Sequence, residues 1–87
     1  MAGALGRSED RVNLALAELE LLFARHQAAA PKERGALAVL FNAQRLVAQS
    51  KLRELLIHRE AVGFRRNHML SELYPIPPKL PEHSDPE

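Results

Sequence analysis

The sequence predicts an all-α protein: an antiparallel hairpin of two long helices with a short third helix and an extended, proline-rich C-terminal tail. Leu and Ala supply most of the 46% hydrophobic residues, only 5% of the residues are aromatic, and β-branched residues are few. Apolar residues recur at helical spacing through two long segments that a single proline separates. Five of the six prolines follow Tyr74, where they prevent regular helix.

Ser8 predicts the start of helix one, because Glu9 and Asp10 follow it. A serine hydroxyl can accept hydrogen bonds from the unpaired amides of a first turn, and carboxylates there face the positive end of the helix dipole. The helix is therefore predicted over residues 9–29, after a disordered N-terminus of residues 1–7 and within a hairpin domain of residues 8–74. Ala30 precedes Pro31 and so disfavours helical conformation at that point.

Pro31 suits the first turn of helix two, because an amide hydrogen is not needed there. This helix is predicted over residues 31–62, and Gly63 favours a break or kink after it. A short helix follows over residues 64–73. The tail, residues 75–87, is expected to be extended, with its last six residues disordered.

Each long helix carries two apolar stripes, although a hairpin can bury only one on each helix. The main stripe of helix one contains Val12, Ala15, Leu16, Leu19, Leu22, Phe23 and His26. Its second stripe contains Leu14, Ala17, Leu21, Ala24 and Ala28. The main stripe of helix two contains Leu37, Leu40, Phe41, Ala48, Leu52, Leu55 and Val62. Its second stripe contains Ala36, Val39, Ala43, Leu46, Ile57 and Ala61, and its polar edge contains Asn42, Arg45, Gln49, Arg53 and Glu60.

A short connection makes the two helices antiparallel, with Leu19 opposite Phe41 and Val12 opposite Ala48. In this register the N-terminal end of helix one lies near Lys51 of helix two. Helix two continues beyond that point as an uncovered overhang. Burying one Leu side chain stabilises a protein by about 1.5 to 3 kcal/mol, so the second stripes and the overhang favour a partner. In a long coiled coil the positions that face the partner helix are apolar, but here Gln44, Lys51 and His58 would occupy them. This favours a helix bundle over a long coiled coil.

Two contact regions for partner proteins follow from these patterns. The first comprises Leu14, Leu21, Val39, Leu46 and Ile57. The second comprises Leu52, Leu56, Phe64, Tyr74, Ile76 and Leu80. The basic residues expected at its rim are Arg53, Arg59, Arg65 and Arg66. The tail also has two P-x-x-P spacings that fit an aromatic-lined groove, or it lies as a strap across this chain or a neighbouring subunit.

No residue pattern indicates an enzyme, a metal site or a bound cofactor. Cysteine is absent, which excludes disulfides and thiolate ligands. Glu54 with His58 and His68 with Glu72 each form a pair one helical turn apart, but a metal site needs three or four converging ligands. The serines lack an evident base with an orienting group, and no glycine-rich phosphate loop is present.

The predicted function is a non-catalytic structural or adaptor subunit of a multiprotein complex, with a hetero-oligomer favoured over a homodimer. One alternative is a homodimeric four-helix bundle. Another is a small RNA-associated or anionic-surface-binding protein, because basic residues outnumber acidic ones between positions 45 and 66. The overall charge of +1 and the absence of a nucleic-acid motif disfavour that class.

The sequence has neither a secretory signal nor a run of about 20 apolar residues that could cross a bilayer. We therefore expect an intracellular, soluble protein that is not secreted. Cytoplasm, nucleus and organellar matrix are equally consistent with the sequence. Peripheral membrane association within a complex stays open.

Overall fold

The computed structural model of the protein describes residues 3–63 and 69–83. It contains α1 (Gly3–Ala28), α2 (Pro31–Ala61) and the single turn α3 (Leu70–Leu73). The two long helices pack against each other, and the described part of the chain contains no strand. The predicted all-α class and helical hairpin are therefore confirmed. From Pro75 to Pro81 the tail has neither helix nor strand, as the prolines predict.

Helix α1 begins at Gly3 and not at residue 9, and its first turns occupy part of the segment expected to be disordered. Ser8 lies inside the helix, where it is 1% exposed, and its hydroxyl hydrogen-bonds with Nδ1 of His58. Ser8 precedes Val12 by four residues and so extends the main stripe toward the N-terminus. Packing of this longer stripe against α2 prevails over the local capping pattern.

Helix α2 matches its predicted boundaries closely. Ala30 is extended at ψ 150°, Pro31 occupies the first turn, and the helix ends at Ala61. Gly63 has φ +100°, a left-handed conformation that side chains with a Cβ rarely adopt. The predicted break at Gly63 is thus observed. The third helix covers only the end of the predicted 64–73 segment, and residues 64–68 lie outside the described residues.

The N-terminal half of α1 covers the part of α2 that was predicted to overhang, and in its N-terminal extension Ser8 contacts His58. Arg11 Nη1 lies 3.6 Å from Glu54 Oε1, one turn beyond Lys51. Leu55 is completely buried in a cluster with Val12 and Leu70, so the N-terminal half of α1 and the α3 turn both contribute to its burial. The apolar overhang is therefore largely closed within the chain.

A second core cluster lies nearer the connection between the helices. Its buried members are Ala15, Leu19, Phe41 and Ala48. The Phe41 ring packs at a tilt against Phe23, with ring centroids 6.2 Å apart. Two residues of the predicted main stripe of α2, Leu40 and Val62, are instead exposed. Ala38 and Asn42 are buried in their place, because α2 is covered by the tail as well as by α1.

Candidate interaction surface

The polar edge of α2 holds the proline-rich tail. The Asn42 side-chain amide donates to the Leu80 carbonyl at 2.8 Å, and Asn42 Oδ1 accepts from the Leu80 amide at 2.9 Å. Asn42 Nδ2 also donates to Glu82 Oε2 at 2.8 Å. These bonds explain how Asn42 can be only 6% exposed, because a buried amide needs partners for its donors and acceptor. The sequence pattern places Asn42 on the polar edge of α2, and it gives no sign of these bonds to the tail.

Arg45 provides the next attachment along the same edge. Its Nε donates to the Pro77 carbonyl at 2.6 Å. A proline-rich segment forms no helix or sheet that would bond its carbonyls, so the side chain of Arg45 supplies the missing donor. Ile76 and Leu80 pack on the core cluster that contains Phe41. Of the two arrangements left open for the strap, the structure has the tail on its own chain.

Five of the six residues in the second predicted contact region are therefore half-buried inside this molecule. Leu52, Leu56 and Tyr74 pack against the Val12–Leu55–Leu70 cluster, and Ile76 and Leu80 pack as described above. Their contacts join the tail, α3 and α2 into one core. The sixth residue, Phe64, lies outside the described residues.

A further side of α2, next to the edge that the tail covers, is apolar and exposed. We call this surface the outer strip of α2, and it consists of Ala36, Val39, Leu40, Ala43, Leu46 and Val47. Exposure of its four large side chains ranges from 42% for Val47 to 65% for Leu46. At 100° per residue these positions span an arc of about 120°, the width of a core-facing helix stripe. Ile57, 55% exposed, lies further along the same side of α2, beyond Ser50 and Glu54.

Helix α1 has a narrower apolar surface on the side opposite α2. We call it the outer seam of α1, and it consists of Leu14, Ala17, Leu21, Ala24 and Ala28. Leu14 is 62% exposed and Leu21 67%. All five residues of the first predicted contact region are thus on the surface, with Leu14 and Leu21 on the seam and the other three on the side of the strip.

The predicted basic rim is only partly described. Arg53 is exposed and Arg59 is half-buried, whereas Arg65 and Arg66 lie outside the described residues. Two other basic residues of this stretch are used within the chain, because Arg45 binds the tail and Lys51 Nζ lies 3.7 Å from Glu54 Oε2. The local excess of positive charge is therefore partly committed to internal contacts.

Within residues 3–63 and 69–83, no three His, Asp or Glu side chains converge as metal ligands would. Glu54 pairs with Arg11 and Lys51, while His58 contacts Ser8. The other pair considered, His68 with Glu72, includes a residue outside the described part. Among the described helices, none combines the length and the apolar character needed to cross a membrane.

A scan against protein-family models found no match for this chain, and searches of curated proteins and of solved structures also found none.

Proposed function

We propose that this chain is a non-catalytic structural or adaptor subunit that binds an α-helical segment of a partner protein through the outer strip of α2. The observation that carries the proposal is the exposure of Val39, Leu40, Leu46 and Val47 on one face of a helix whose opposite sides are already covered. Contiguous apolar surface of this kind is typical of protein–protein contacts.

The strip has the dimensions that a helical partner needs. From Ala36 to Val47 it extends about 17 Å at 1.5 Å per residue, which is three turns of helix. Large side chains at Val39 and Leu46 flank the small side chain of Ala43, so a partner helix can approach closely at the centre of the strip. Recognition of an amphipathic helix uses anchors at this i, i+3, i+4 and i+7 spacing.

The experiment is site-specific photo-crosslinking in the cells that express the protein. A photoreactive residue at Val39 or at Leu46 should capture the same partner, because both positions lie on one strip. The same residue at exposed Gln27, on α1, is the matched control and should not capture it. Leu46→Glu should abolish co-purification of the captured protein while leaving the helical circular dichroism unchanged. Equal capture from Gln27, or a partner retained by Leu46→Glu, would contradict the proposal.

A further inference from the structure

The outer seam of α1 repeats with the spacing of a two-stranded coiled coil. Its residues follow one another at intervals of three, four, three and four, from Leu14 to Ala28. In heptad terms Leu14, Leu21 and Ala28 occupy one core position, and Ala17 and Ala24 occupy the other. Since this seam lies on the side of α1 away from α2, it could pack against another helix without any change in the hairpin.

The charges beside the seam identify the occupant. Glu18 and Arg25 lie along one edge, while Glu20 and Gln27 lie along the other, and all four are exposed. One oxygen of Glu18, Oε1, accepts a hydrogen bond from Gln44 Nε2 at 3.3 Å, and its carboxylate keeps a second oxygen for Arg25 of another copy. In an antiparallel helix pair with two-fold symmetry, residues of the same edge meet across the interface. A second copy of this helix would therefore bring Glu18 to Arg25 twice and Glu20 to Gln27 twice. The edges are complementary to themselves.

We infer that the outer seam of α1 binds a second copy of this chain in antiparallel orientation, with Leu21 against Ala24 and Glu18 paired with Arg25 across the two-fold axis. The same register places Ala17 against Ala28 and Leu14 near Pro31 of the second copy. A large side chain faces a small one at each Leu21 contact, which keeps the spacing between the helices uniform.

Other registers and the parallel orientation fit the seam less well. A parallel pair places Leu21 against Leu21 and Ala24 against Ala24, so the leucines would hold the helices apart where the alanines need close approach. Shifting the antiparallel pair by one heptad toward the N-terminus puts Asp10 opposite Ala28 and brings Glu18 beside Glu18 of the second copy. A carboxylate at an apolar seam carries a desolvation penalty, which disfavours that register.

The resulting dimer is a flat layer of four helices in the order α2, α1, α1 and α2. The two outer strips of α2 would lie at its opposite edges, roughly 25 to 30 Å apart for helix spacings of 8 to 10 Å. The dimer would thus present two identical surfaces to helical partners. Self-association on α1 stands on its own observations and does not depend on what binds α2.

The test is sedimentation equilibrium of the full chain from micromolar to near-millimolar concentration. We expect a reversible monomer–dimer equilibrium that is weak because the seam is short. Glu18→Arg and Arg25→Glu should each weaken dimerisation about tenfold or more, because each opposes like charges twice in the dimer. The double variant Glu18→Arg with Arg25→Glu restores both pairs and should restore the original dissociation constant.

Glu20→Arg is the matched control, since Glu20 faces uncharged Gln27 in the antiparallel dimer and should change the dissociation constant less than threefold. In a parallel pair Glu20 would meet Arg25, so strong weakening by Glu20→Arg alone would overturn the inferred orientation. Leu21→Glu should abolish the dimer and Leu46→Glu should not, while circular dichroism checks the fold of both. A chain that is monomeric throughout, or a dimer that only Leu46→Glu disrupts, would overturn the inference.

Discussion

The two sides of α2 reverse the usual relation between polarity and exposure. On one side Asn42 and Arg45 are covered by the tail and bound to its backbone. On the adjacent side Val39 and Leu46 are exposed. The tail therefore covers a polar edge and leaves an apolar strip uncovered, although covering apolar surface would be favoured by the hydrophobic effect.

Chemistry of the tail explains this choice. A proline-rich segment has few amide donors and cannot satisfy its carbonyls by forming a helix or sheet. Side chains that donate hydrogen bonds, such as those of Asn42 and Arg45, are the partners it needs. The outer strip offers no such groups. Hydrogen bonding by the tail therefore explains which side of α2 it covers.

Among the residues that hold the tail, the largest effect is expected from Asn42→Ala. This substitution removes three hydrogen bonds to the tail, and we expect a loss of about 2 kcal/mol in the free energy of unfolding, partly offset by the better helix propensity of alanine. Urea denaturation at low protein concentration measures the loss. The Leu80 amide should also exchange its hydrogen faster, because its acceptor is gone.

Gln49→Ala is the control for this variant, since Gln49 is an exposed residue of the same polar edge. It should leave the stability within about 0.5 kcal/mol of the original. If Asn42→Ala and Gln49→Ala have equal effects, Asn42 does not hold the tail and the contrast between the two sides of α2 disappears.

A smaller effect is expected from Arg45→Ala. The half-buried guanidinium makes one hydrogen bond to the Pro77 carbonyl, so its loss should cost about 1 kcal/mol in the same denaturation experiment. Arg45→Lys keeps the charge but not the Nε donor, and it should recover less than half of the loss. Full recovery by lysine would show that charge, and not this hydrogen bond, is what matters at position 45.

Much of the fold could be predicted from the sequence because a helix that is buried on one side needs apolar residues at a regular spacing of three or four. The spacing of apolar residues predicted both long helices, and Pro31 and Gly63 marked the limits of α2. The start of α1 was not predicted, because Ser8 with two acidic residues after it is a strong local capping pattern. Burial of Ser8 against His58 is a tertiary contact, and no local signal contains it.

The role of Asn42 was hidden for a related reason. An extended proline-rich segment has no helical or strand periodicity that would show which surface it covers. In a hairpin of two helices without the tail, Asn42 and Arg45 would lie on the polar edge of α2 and face solvent. The edge binds the tail only because the tail lies across it. The same position of the tail packs Ile76 and Leu80 against the core instead of leaving them on a surface for a partner.

The smallest effect on stability is expected from Leu46→Ala, and it tests the other side of the contrast. Leu46 is 65% exposed and belongs to neither buried cluster, so its truncation should change the free energy of unfolding by less than about 0.5 kcal/mol. Leu55→Ala, on the same helix but fully buried, should cost about 2 to 5 kcal/mol in the same experiment. A large loss from Leu46→Ala would mean that the strip is already covered in the isolated protein. Stability that is unaffected, combined with loss of the captured partner, would mean that Leu46 acts in binding and not in folding.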